Sequence, residues 1–135
     1  MTSEKRLELA LLALRIGIII VFTAWTLDKI FAYEHNSGMI GHYYGGITIS
    51  QPVLLAIGIA ELVLLFVFFF TNYYKTITYG IILIAHTVTT IVSFKRLLPP
   101  YEIHQLLYFG SLPLLAACIA LFLLRDDDTL FKFGG

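Results

Sequence analysis

Long apolar runs, broken by single charged residues, recur four times along the chain. Each is close to the roughly 20 residues an α-helix needs to cross a ~30 Å hydrocarbon core. They predict helices over about Leu9 to Tyr33, Pro52 to Phe70, Thr76 to Phe94 and Glu102 to Leu124. Pro52 suits the first turn of the second helix, where its missing N–H costs nothing. Pro113 falls inside the fourth and predicts a kink. The short links "NYYK" (Asn72 to Lys75) and "LLPPYE" (Leu97 to Glu102) make consecutive helices antiparallel neighbours. The expected fold is all-α, a transmembrane antiparallel four-helix bundle forming one domain over 1–135.

Composition agrees with that pattern. Hydrophobic residues make up 59% of the 135, and charged residues only 13%, about half the share of a soluble domain. Tyr33, Tyr43, Tyr44, Tyr73, Tyr74 and Tyr101 fall near predicted interfaces, as an aromatic belt does. Lys5 and Arg6 precede the first run, but the run continues to Tyr33 without a small-x-small cleavage pattern, so it reads as a retained helix. Zero net charge gives no basic surface for nucleic acid. The single cysteine, Cys118, has no disulfide partner and reads as a packed side chain.

Four spans place both termini on one side. Lys5, Arg6, Lys75, Arg125 and Lys132 share that side, and Lys29, Lys95 and Arg96 face the other. The bias puts the termini in the cytoplasm, as in a prokaryotic inner or plasma membrane. The segment Glu34 to Gln51, with its four glycines, is the longest predicted loop, either a solvated connection or a lid over the outer mouth. "RDDD" at Arg125 to Asp128 reads as a solvated helix stop. "TLFKFGG" after it suits a membrane interface or a neighbouring subunit.

The charges inside the spans carry the candidate chemistry. Arg15 and Lys29 lie 14 positions apart, within roughly 40° of one face of an ideal helix. Glu61 and His86 lie near mid-depth of the second and third spans. Intramembrane ionisable groups usually face the bundle interior and pair with one another. Arg15, Glu61 and His86 are therefore expected to converge, with Arg15–Glu61 the most economical pair. The cluster either fixes helix register or forms a polar site for a quinone-like ligand or a proton relay. Burial and charged neighbours tune the pKa values of Glu and His to such work. Asp28 points elsewhere, towards loop groups. His35 reads as solvated. His42 and His104 belong to the outer side, where a pair of histidines is one way to hold haem, but no spacing motif supports haem or zinc.

"LALRIGIIIVFTAWTLDKI" followed by "QPVLLAIGIAELVLLFVFF" resembles the DoxX-like family of small four-helix membrane proteins. The matching positions are Arg15 early in the first helix, Lys29 at its end, and Gly58 with Glu61 in the second. Thr26 stands where the family often has glycine. The resemblance covers the first two helices, and the last two match only in hydropathy. It implies a four-helix bundle linked to membrane redox chemistry, with a redox partner or a larger membrane complex.

Three functions compete on these grounds. One is a membrane subunit of a quinone-linked oxidoreductase, with Arg15, Glu61, His86 and Lys29 around its site. The second is a structural accessory subunit of a larger, respiratory-type membrane complex. The third is a small transporter, against which stands the lack of a continuous polar stripe on any helix. An isolated enzyme lacks a recognisable catalytic constellation.

Overall fold

A computed structural model of the chain describes residues 1–93 and 109–134. These residues form five α-helices: α1 (Ser3–Phe31), α2 (Tyr33–Tyr43), α3 (Gln51–Phe70), α4 (Lys75–Val92) and α5 (Ser111–Leu123), with a 3-10 turn at Arg125–Asp127. The helices α1, α3 and α4 are long and apolar enough to cross a membrane, and α5 is a shorter apolar helix. These helices mark an integral membrane protein.

Local chemistry sets the helix ends. The Thr2 hydroxyl accepts from the Lys5 N–H, capping α1, with Glu4 in its first turn and Lys29 in its last, each favoured by the helix dipole. Pro52 sits in the first turn of α3. Between α3 and α4 the chain turns over Asn72 and Tyr73, and Tyr74 takes a left-handed backbone (φ 55°).

Two differences from the sequence reading concern these elements. The predicted loop after the first span is mostly helix: α2 follows α1 with only Ala32 between them. Asp28 ties the two together, because His35 and Asn36 both reach back to its carboxylate. Glycines end α2: Gly45 and Gly46 take positive φ, and the Gly46 N–H returns to the Gly41 carbonyl. Pro113 lies in the first turn of α5, where it is tolerated, and not in mid-helix. The remainder of the fourth predicted span lies outside the described residues.

Side-chain pairings give the register. Glu61 meets Thr26 and Lys29, Gly58 faces Ile30, and Phe69 lies against Arg15, so α1 and α3 run in opposite directions. His86 with Ser111, Gly80 with Phe122, and Thr76 with Arg125 show the same for α4 and α5. The core is one apolar seam of Leu11, Ile18, Leu65, Phe68, Tyr79, Ile82, Cys118 and Leu121. Past the 3-10 turn the chain folds back beneath the helices. Phe133 pairs with Thr71, its N–H on the Phe70 carbonyl and its carbonyl on the Asn72 N–H.

Candidate functional site

The charged residues of the spans separate into two clusters. Arg15 does not meet Glu61. It lies level with Phe69, in the last turn of α3, its guanidinium 5.0 Å from that ring. Thr26 and Lys29, which hold Glu61, are 11 and 14 residues further along α1, roughly 16–21 Å at 1.5 Å per residue. No arginine side chain spans that distance.

Arg15 instead grips the returning C-terminal segment. Its Nη1 donates to Asp128 Oδ1 at 2.5 Å, and its Nη2 donates to the Leu130 carbonyl. Tyr79 donates to Asp128 Oδ2 at 2.6 Å, and Lys75 donates to the Asp128 carbonyl at 2.8 Å. The side chains of Arg15 and Asp128 are both 0% exposed. The "RDDD" stretch is therefore not simply a solvated stop, because its last aspartate is the buried counter-charge of the first span. Nothing in its local spacing distinguishes Asp128 from its two neighbours.

Lys132 closes the same end. Its ammonium donates to the Thr71 carbonyl at 2.8 Å and lies 4.7 Å from the Tyr79 ring centre. Burial lowers its pKa to about 7 from an ordinary 10.5; the charges of Arg15 and Lys75 add to the effect and Asp128 opposes it. Between those values the undocked tail binds more protons than the docked tail, so docking tightens as pH rises from about 7 and is weakest below it. A fluorine label on Phe133 should report more docked tail at alkaline than at neutral pH. Lys132→Met should flatten that dependence.

The second cluster surrounds Glu61. Thr26 Oγ1 and Lys29 Nζ donate to the same carboxylate oxygen, at 2.9 and 3.1 Å. Thr26 is thus a direct partner of Glu61. Lys29, Gly58 and Glu61 come together because glycine at 58 lets α1 approach closely: a Cβ there would lie 2.7 Å from Ile30 Cγ1. The cluster opens on a cavity of about 180 Å³ between α1, α3 and α4, walled by Phe22, Trp25, Leu64, Leu65, Ile82 and Ala85.

His86 stands behind the cavity wall. Its ring stacks on Trp25 (centroids 6.0 Å, planes 18° apart) and meets Phe22 edge-on. Nε2 donates to the Ser111 carbonyl at 2.8 Å, which leaves the buried Nδ1 as an acceptor without a partner among the described residues.

A second cavity, about 420 Å³, lies under α2 and shares Trp25, Lys29 and Thr89 with the first. Asp28, His35 and Asn36 line it. His35 is not simply solvated, since its Nδ1 lies 2.9 Å from Asp28 Oδ1. Trp25 also borders a third, apolar cavity with Gly17, Ser111 and Pro113. His42 lies exposed in α2, and His104 lies outside the described residues, so their pairing is not described. Among the described residues no group of three or more His, Cys, Asp or Glu is placed to hold a metal ion.

Comparison of the chain with protein-family models, with curated proteins and with solved structures returns no match.

Proposed function

We propose that the chain is a small integral membrane subunit of DoxX-like type that serves quinone-linked redox chemistry, with its ligand site at Lys29, Glu61 and Thr26. In this reading α1, α3, α4 and the fourth apolar run, about Glu102 to Leu124, of which α5 is part, cross a prokaryotic inner membrane as an antiparallel four-helix bundle. The termini lie in the cytoplasm, and a redox partner or larger complex supplies the electron carrier. The observation that carries the reading is the Lys29–Glu61 pair inside apolar helices, facing a ring-sized cavity with aromatic walls. Ionisable groups at such positions mark substrate or proton pathways. Cavities of about 150 Å³ accommodate benzene, so this one suits a single substituted ring. Lys29, whose ammonium keeps protons beyond the one given to Glu61, offers a donor to a quinone oxygen, and a protonated Glu61 does the same. His86 acts behind the wall as a support for Trp25.

Trp25, the single tryptophan of the chain, supplies the test. A short-chain benzoquinone should quench its fluorescence saturably. Glu61→Gln should weaken binding about tenfold, equivalent to losing about 1.4 kcal/mol, the size of one hydrogen bond. Ala85→Phe, which fills the cavity, should abolish saturation. Linear quenching, equal in all three proteins, refutes the ligand site and leaves the accessory-subunit alternative.

A further inference from the structure

The two adjacent cavities, which share Trp25, Lys29 and Thr89, and the buried ion pair at the opposite end bear on the direction of proton traffic. Resting on the ligand-site reading, we propose that Glu61 exchanges protons only with the α2 face, the one opposite the termini, through the cavity beneath α2.

The path on that side is made of polar groups. His35 is the exposed end, its side chain 65% accessible, and it bonds to Asp28. Asn36 is also tied to Asp28, and its own carbonyl oxygen is buried without a partner among the described residues. The cavity behind them, about 420 Å³, has room for a file of waters at about 30 Å³ each. Asp28, Asn36, Thr89 and Ser93 supply the polar partners such waters need. Lys29 borders both cavities and bonds Glu61, so the file ends at the carboxylate. A proton arriving from the α2 face moves from water to the Glu61 carboxylate and leaves by the same file.

The other direction is closed twice. Below Glu61 the buried side chains of Ile18, Leu65, Phe68, Ile82 and Leu121 form an apolar layer. Beneath that layer Arg15, Asp128 and Tyr79 bond to one another with almost no accessible surface. Among the described residues the titratable groups near Glu61 and its approach are Lys29 and Asp28 from α1, His35 from α2 with Tyr44 at its end, and His86 from α4 behind the cavity wall. From α4 the cavity receives Ile81, Ile82, Ala85 and Thr89, none of which titrates in this range.

The test uses a membrane-permeant carbodiimide, which adds to protonated carboxylic acids, on the whole protein in vesicles. Vesicles captured through a tag on the N-terminus have the terminal face outside, and the pH of lumen and exterior is clamped separately. Peptide masses report labelling of Glu61, and Glu61→Gln identifies the labelled site. Acidifying the lumen by about two pH units should raise Glu61 labelling several-fold, because the reagent adds to the protonated carboxyl. Acidifying the exterior alone should leave it unchanged. Labelling that follows the exterior, follows both sides, or never occurs overturns the proposal. The ligand site is judged separately by Trp25 quenching, so sidedness can fail while quinone binding stands, and the reverse.

Discussion

Asp128→Ala should destabilise the protein by about 3–5 kcal/mol, the usual cost of leaving a buried ion-pair partner uncompensated. The substitution removes the acceptor of Arg15 Nη1 and of the Tyr79 hydroxyl together. Among the described residues Arg15 then keeps the Leu130 carbonyl and the face of Phe69. Thermal unfolding in mild detergent, followed by loss of the folded monomer, measures the effect. The double variant Arg15→Met, Asp128→Leu separates charge from packing. Buried pairs replaced by apolar side chains of similar volume are often neutral, or more stable by about 1–4 kcal/mol. The double variant should therefore recover most of the loss. A single variant within 1 kcal/mol of the parent, judged against the roughly ±0.5 kcal/mol of ordinary surface changes, means the pair does not hold the tail.

Gly58→Leu should separate α1 from α3. A Cβ at this position meets Ile30 Cγ1 at 2.7 Å and Lys29 Cβ at 3.7 Å, so the larger side chain forces the helices apart. Overpacking costs about 1–3 kcal/mol in well-packed cores. In lipid the separated helices regain no hydrophobic energy, because association there depends on close packing. Glu61 lies one turn from Gly58, so the same displacement draws it away from Lys29. The expected result is lower thermal stability together with loss of saturable Trp25 quenching. Gly17→Leu on α1 is the control, since among the described residues nothing lies within 4 Å of a Cβ at that site. Equal behaviour of the two variants would show that close approach at Gly58 does not assemble the site.

The apolar runs announced α1, α3, α4 and the described part of the fourth span, because in a bilayer length and hydropathy dictate helix on their own. The tight turn at Asn72 to Tyr74 was equally plain. The helix α2 was hidden by its glycines and polar residues, and its stability comes from Asp28, seven and eight residues before His35 and Asn36. The polar cluster was half legible. Each residue announced itself as an ionisable group among apolar neighbours, but which ones meet depends on the level of each helix. That level is fixed by contacts such as Gly58 with Ile30, which have no signature in periodicity. Asp128 was the least visible, being one of three adjacent aspartates beyond a helix end, while its partner lies 113 positions away.

That separation also orders events during synthesis. Arg15 emerges from the ribosome with the first span, and the carboxylate that neutralises it follows 113 residues later. Until then α1 resides in the membrane with an uncompensated cation, held by its long side chain reaching for the near interface. The contact that buries this charge can therefore form only after translation has passed Asp128. A chain stopped short of that residue keeps α1, α3, α4 and α5 and leaves Arg15 without the Asp128 carboxylate.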